Sequence, residues 1–553
     1  MRFLQSQSEK HVRPSRRRRS RLPDYDARKG RAEDLFRLWQ GIIFWAVLLF
    51  GSFFIFHVLH FRGLAEEEAM EIAARGRAIA LGDRAFPGLI RPVYLRPGEP
   101  IGSYAADLIP PVYPRIQSVF LRLGGFTDNS AVMAGGVFFL AAALLTYALA
   151  RRTLPKKGAL LVFLFTFTNP VLLRSAISGL PTAFLVFLVV LVFYGREALP
   201  PRISAGFSGL ILGVVFLTDY SGLFFLPVFL LHLILTAGGR RERWVGSGIF
   251  LAGFLAATAP WLFGEAAGGF GSLSRYLDYH WNSSTVLLPG RTADGLCGIP
   301  LGSFVIPAAM AIGKIHRGLS IFYREALAIS ANFLGLFFWA SLFFRPSGRG
   351  MKSRRTLLLL LLAAGGCWMV FFRPRPEILV PLLPPVILYG TEFFLALKEK
   401  FGPRGKIASR AVVAGFIVVN CAPIFFGRVP FDPLRQETVN SLNYLKTLIR
   451  EEELVVTDIP ALVLWYGNRR PVRLPLNPEM FREMLRDHPG TVFLLLSPGT
   501  AREDIDPTGR WRGFYGLRSG PVPEPFDQVM LLPGRLVLMG KKSVLLNRIS
   551  SRW

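Results

Sequence analysis

Hydrophobic positions along this chain fall in blocks. Apolar stretches occupy 38–60, about 130–150, 158–173, 180–194, 204–217, 222–237, 245–263, 326–344, 356–372, 378–397 and 408–427. Each approaches the ~20 residues that a helix needs to cross a bilayer core, so the pattern predicts an all-α polytopic protein with about eleven transmembrane helices. The first stretch is too long for a signal-peptide core and has no small-residue cleavage site after it, so it is expected to remain as a helix. Between the blocks lie two long polar loops, 61–129 and 264–325, and a tail from 428 to 553. In the tail a polar, helix-compatible stretch (Glu437 to Glu453) precedes strand-like Leu454-Val455-Val456. A second helical stretch near Pro478–Asp487 and a strand at Val492–Leu496 follow, and this alternation predicts a small α/β domain. The last ~50 residues, rich in Gly and Pro, read as irregular.

Charge then orients the helices. With the N-terminus inside, the inner loops carry Arg151-Arg152, Lys156-Lys157, Arg196 to Arg202, Arg240-Arg241, Arg345 to Arg355 and Lys398 to Arg410. All are basic, as the positive-inside rule requires, and outer turns such as Thr218-Asp219-Tyr220 are not. An odd number of spans puts both long loops and the tail on the outer face. Three regions are therefore expected: a basic, disordered inner arm at 1–37, a membrane domain at 38–427, and an outer α/β domain at 428–553. The location implied is a bacterial-type inner membrane.

Composition agrees with a bilayer partner. Of 553 residues 51% are hydrophobic, 48 of them Phe, and the net charge of +28 is concentrated between the apolar blocks. That distribution speaks against a nucleic-acid partner. Of three cysteines, Cys367 and Cys421 fall inside apolar segments, leaving Cys297 without an intramolecular disulfide partner outside them. No Cys/His spacing suited to a metal appears.

The chemistry-bearing stretch is the start of the first outer loop. Glu66, Glu67, Glu68 and Glu71 open a helix-compatible, alanine-rich run that ends at Gly82-Asp83. Acids there complement the helix macrodipole, and Met70, Ala74, Ala78 and Leu81 form one apolar stripe. The same acids are candidate general bases, with Arg91, Arg96, Arg373 and Arg375 as candidate phosphate clamps. Each arginine alone also suits a snorkelling interfacial position. Tyr276 to Trp281, including His280 and Trp281, supply rings able to line an acceptor site or to form an interfacial aromatic belt.

The order of these parts resembles the GT-C superfamily, in the branch of the protein O-mannosyltransferases and the lipid A aminoarabinose transferase. The resemblance rests on the apolar helix, the acidic cluster, Gly82-Asp83 and then Pro110-Pro111-Val112-Tyr113 leading into a helix. Arg373-Pro374-Arg375-Pro376-Glu377 with the apolar run after it, Leu217-Thr218-Asp219-Tyr220-Ser221-Gly222-Leu223, and Asp458 through Pro475 add to it. It implies a membrane enzyme that moves a sugar from a polyprenyl-phosphate donor to a glycan, lipid or protein acceptor, inverting the anomeric carbon. The catalytic carboxylate then lies in the first outer loop. An arginine nine residues on, Arg77, points to Glu68, while counting back from Gly82-Asp83 fits Glu67-Glu68, and Glu71 stays a third option. Tyr113, His280 and Trp281 are the expected sugar or acceptor contacts. One carboxylate suffices, because the leaving phosphate, with a second pKa of roughly 6, needs no proton from an acid. No cofactor beyond the donor lipid, and no divalent metal, is called for.

Two departures from the family pattern stand out. The acid of the second outer turn falls at Pro181-Thr182, and the basic residue before the Pro pair is Ile109. These departures favour one alternative, a non-catalytic scaffold of the envelope; the second alternative class is a transporter or flippase of lipid-linked sugars. The second is disfavoured by the scarcity of charges within the spans and the lack of a repeat.

Overall fold

A computed structural model describes principally residues 47–82, 109–236, 239–264, 315–323, 333–343, 349–371, 376–400, 402–426, 433–474, 492–501, 510–516 and 526–541. A few single positions between them, including Leu89, Tyr276 and Phe481, are also described. Residues up to Ile55 form one unit and Phe56–Trp553 another.

The helices are α1 (Val47–His60), α2 (Glu67–Leu81), α3 (Val112–Gly124), α4 (Asp128–Thr153), α5 (Lys156–Phe167), α6 (Pro170–Ile177), α7 (Thr182–Ala198) and α8 (Pro201–Thr218). They continue as α9 (Phe225–Thr236), α10 (Arg240–Gly264), α11 (Phe333–Ser341), α12 (Arg349–Phe371), α13 (Leu383–Lys400) and α14 (Gly402–Phe426). Each apolar block of the sequence thus holds a helix. By length and composition five of the described helices suffice to cross a membrane, or six if the bent pair α5 and α6 is one span. The block expected as one span at 158–173 is broken by 52° at this pair. Pro170 has no N–H to continue α5, and Asn169 caps α6 instead, its side-chain oxygen accepting from the N–H groups of Val171 and Leu172 at 3.0 and 3.2 Å.

Helices α7, α8 and α10 pack through small residues. A Cβ on Gly209 would lie 1.9 Å from the carbonyl oxygen of Phe250, so the backbones of α8 and α10 touch where only glycine fits. This close packing sets where the two ends of α7 and α8 emerge.

The tail adds α15 (Pro433–Leu448), β1 (Leu454–Thr457), α16 (Pro460–Trp465), β2 (Arg470–Arg473), β3 (Val492–Leu496), α17 (Arg510–Gly516), β4 (Gln528–Leu532) and β5 (Leu536–Gly540). Its sheet runs β2-β1-β3-β5-β4, parallel across the first three strands and antiparallel across the last two. The expected strands at 454–456 and 492–496 are its centre. The expectation of an irregular C-terminal stretch is corrected: β4 and β5 form a hairpin turning at Gly534, φ 77°. Every residue of β5 is buried, so its apolar run Leu536-Val537-Leu538-Met539 is a sheet interior rather than loop. The helix expected near Pro478–Asp487 lies mostly outside the described residues.

Candidate active site

Helix α2 starts with Glu67 and Glu68 in its first turn, where its positive end favours them. Gly82 ends it in the left-handed conformation, φ 78°, its N–H on the carbonyl of Ile79 at 3.2 Å. Met70, Ala74 and Ala78 are buried as the stripe predicts, but Leu81 is 65% exposed. The last turn projects past α3, whose Arg122 instead donates to the carbonyls of Ile79 and Ala80, both at 3.1 Å. The two helices meet at Gly76, where a Cβ would come within 3.2 Å of the Pro114 carbonyl oxygen and the Leu121 side chain.

Consecutive side chains on a helix diverge by about 100°, so Glu67 and Glu68 point to different faces, and Glu71, one turn further into the helix, is set apart by burial. Glu67, its side chain 53% exposed, turns to the tail and lies 3.7 Å from Arg473. Glu71 is buried among the packed helices. Glu68 alone of the three lines a crevice, made of two adjoining cavities of about 30 and about 10 Å³ that share Glu68, Pro181, Asp219 and Tyr276.

The walls of the crevice come from distant parts of the chain. Asp219 follows α8 and caps the 3-10 turn Tyr220–Phe224, its Oδ1 accepting from the N–H of Ser221 at 2.9 Å. The Tyr276 hydroxyl reaches the same oxygen at 3.5 Å, and the Tyr276 ring stands edge-on to Tyr220 and parallel to Trp368, with centroids 4.9 and 6.4 Å away. Glu377, in the 3-10 turn before α13, is the third carboxylate, with one oxygen buried and without a hydrogen-bond partner among the described residues. Ile109 is an apolar wall where the resemblance asks for a base. Pro181, where it asks for an acid, lies in the same crevice as Asp219. Sequence reasoning had Asp219 and Glu377 only as letters in the resembling motifs; what it lacked was their meeting with Glu68.

Tyr113 is not among the lining residues. Its ring is buried against Phe184, centroids 6.3 Å apart, and burial pushes its phenol above the ordinary range. Arg91, Arg96, Arg373, Arg375, His280 and Trp281 lie outside the described residues.

The tail grips the same helix from outside. Arg77 of α2 donates through both terminal nitrogens to the carbonyls of Leu464 and Trp465, each at 2.8 Å, at the negative end of α16. Its guanidinium also lies over the Trp465 ring, 5.0 Å from the centroid. Burial lowers its pKa to about 10, which leaves it charged at neutral pH. Asp128, at the start of α4, accepts from Trp465 Nε1 at 2.6 Å and from the Tyr466 hydroxyl at 2.7 Å. Asp458, just after β1, is buried and accepts the N–H and hydroxyl of Ser497. Burial, helped by the negative charge of Glu67, raises its pKa to about 7 against the bonds from Ser497 that lower it. The resemblance used Arg77 to count to the catalytic acid; the structure puts that guanidinium on the tail.

The chain thus combines a bundle of apolar helices, a carboxylate-lined crevice beside α2 and an α/β tail. Residues 109–276 match the family model described as dolichyl-phosphate-mannose-protein mannosyltransferase. The fold is similar to ArnT from Cupriavidus metallidurans bound to undecaprenyl phosphate, at 13% identity and a TM-score of 0.57, over 90% of this chain and 98% of that one. It is also similar to the oligosaccharyltransferase AglB from Archaeoglobus fulgidus in complex with an inhibitory peptide and a dolichol-phosphate, at 11% identity and a TM-score of 0.53, over 84% and 70%. No curated protein matches the sequence. The family model thus covers 168 of the 553 residues, and the likeness to the solved structures is one of fold.

Proposed function

We propose that this protein transfers a sugar from a polyprenyl-phosphate carrier to an acceptor hydroxyl at the outer face of the membrane, with Glu68 as general base. The observation that carries this reading is the meeting of Glu68, Asp219 and Tyr276 in one crevice. In the reaction the acceptor oxygen attacks the anomeric carbon from the side opposite the phosphate. Its proton passes to the Glu68 carboxylate, the bond between the anomeric carbon and the phosphate oxygen breaks, and the carrier leaves as the phosphate with the sugar inverted. A phosphate whose second pKa is roughly 6 departs without a general acid, so a single base is sufficient. Asp219 holds the wall by capping its turn and accepting from Tyr276. The aromatic faces of Tyr276 and Trp368 suit a sugar ring.

Cavities of about 30 and 10 Å³ suit water rather than a sugar, since about 10–15 Å³ of such space is enough for one water. Donor binding therefore moves the walls apart. Arg91, Arg96, Arg373 and Arg375 remain the proposed phosphate ligands, His280 and Trp281 the proposed acceptor contacts, and the tail the brace that keeps α2 in place. The basic inner loops support an inside N-terminus and an outer active site.

The test uses purified protein with radiolabelled polyprenyl-phosphate sugars and membrane extract as acceptor source. Transfer by the wild type, absent in Glu68→Gln at equal yield and melting temperature, is expected. Full transfer by Glu68→Gln removes the base from this position. Movement of the lipid across a vesicle without transfer would make the protein a flippase.

A further inference from the structure

At the opposite ends of α7 and α8 a second, larger cavity opens, of about 690 Å³. Fourteen residues separate Thr182 from Arg196 on α7 and sixteen separate Thr218 from Arg202 on α8. At 1.5 Å per residue the two cavities are roughly 21–24 Å apart along the helices, on the scale of the ~30 Å bilayer core. Nothing in the proposed transfer reaction uses this cavity, and its volume falls in the range of about 300–1,000 Å³ typical of small-molecule sites.

One wall is cationic. Arg196, in the last turn of α7, and Arg202, in the first turn of α8, both line the cavity. Glu197, next to Arg196, is shared, bonded to Arg354 as well as attracting Arg196, and is not among the lining residues. Glu242 is the one acid among the lining residues, against the two arginines. The other wall is apolar and open sideways: Leu233 and Val245 line it, Ile203 is 60% exposed, and the neighbouring Trp244 is 73% exposed. A soluble anion would gain nothing from that wall. An amphiphile with a phosphate head uses both.

We propose that this cavity binds the headgroup of an anionic phospholipid, with its phosphate between Arg196 and Arg202 and its acyl chains along Ile203 and Val245. Guanidinium groups pair with phosphate oxygens through two parallel N–H bonds, which a lysine cannot reproduce. Basic pockets between membrane helices recognise lipid heads in this way.

The full chain, purified and incubated with equal amounts of phosphatidylglycerol and phosphatidylcholine, is analysed by native mass spectrometry for retained lipid. The wild type is expected to retain phosphatidylglycerol preferentially. The double variant Arg196→Gln/Arg202→Gln is expected to lose that preference by about tenfold or more. Gly246→Trp provides an independent variant: Gly246 lines the cavity, a Cβ there meets nothing within 4 Å, and both arginines are kept. It should displace the lipid by filling its place. Lys157→Gln, an exposed basic residue outside the cavity, should change nothing. The proposal is overturned if the wild type shows no preference, or if the double variant and Gly246→Trp both retain it. Displacement by inorganic phosphate would make the ligand a free anion and overturn the lipid assignment.

Discussion

The two ends of α7 and α8 have opposite chemistry. At one end Glu68, Asp219 and Glu377 line a tight crevice of a few tens of Å³; at the other, Arg196 and Arg202 line an open cavity of about 690 Å³. The basic end is local, because Arg196 and Arg202 stand six positions apart on either side of the short turn between α7 and α8. The acidic end is assembled from α2, the turn after α8 and the turn before α13. A cavity that binds a resident lipid can be open and adjacent to the bilayer, whereas one that performs a transfer needs carboxylates in a place from which water is largely excluded.

The sharpest way to break this comparison is Glu68→Gln. General base removal is expected to cost about 10²–10⁴-fold in transfer, while phosphatidylglycerol retention at the other end stays at the wild-type level. A joint loss would mean that the ends are coupled or the fold disturbed.

Next comes the tail, which decides whether the acidic end belongs to α2 alone. Asp458 has a pKa of about 7 in the folded chain against an ordinary 3.8. Between those values the folded chain keeps a proton that the unfolded chain has released, so stability is greatest at low pH. It falls as pH rises toward 7 and levels off above, by a total on the order of 4 kcal/mol. Asp458→Asn is expected to flatten this dependence, seen as equal melting temperatures at about pH 5 and about pH 8.

A smaller effect is expected where the tail meets the start of α4. Asp128→Ala leaves the buried Trp465 Nε1 without its acceptor, at a cost of about 1–3 kcal/mol, while the half-buried Tyr466 hydroxyl keeps Arg435 as a partner. Faster amide exchange along α16 and a lower kcat at unchanged acceptor KM would show that the brace positions α2. Unchanged kcat would leave it a purely structural contact.

The smallest effect separates neighbours. Glu67 is half exposed and its pair with Arg473 is long, so Glu67→Gln should alter stability by about 0–1 kcal/mol and transfer by no more than about twofold. A large loss of transfer would move the base from Glu68 to Glu67.

Much of this was legible in the residues. Block hydrophobicity located a helix in every expected span, because a bilayer demands long apolar runs whatever the tertiary packing. The acidic start of α2, its stop at Gly82 and the central strands β1 and β3 followed from local rules. Three features did not. The break between α5 and α6 sits on an Asn-Pro pair that hydropathy does not register. The β4–β5 hairpin was hidden by Gly and Pro counts, though β5 is a continuous apolar run. Which of Glu67, Glu68 and Glu71 lines the crevice depends on where each side chain lies once α2 is packed between α3 and α16.

The sequence by itself determined the membrane class, the side on which the basic loops gather and the helix that carries the acids, since these depend on composition and spacing within tens of residues. Only the tertiary structure decided that Asp219 stands where Pro181 offers no acid, that Arg77 holds the tail, and that Glu68 alone of its cluster reaches the crevice. Those facts depend on residues about 40 to 390 positions apart coming together, and such contacts are set by helix packing and burial rather than by any local pattern.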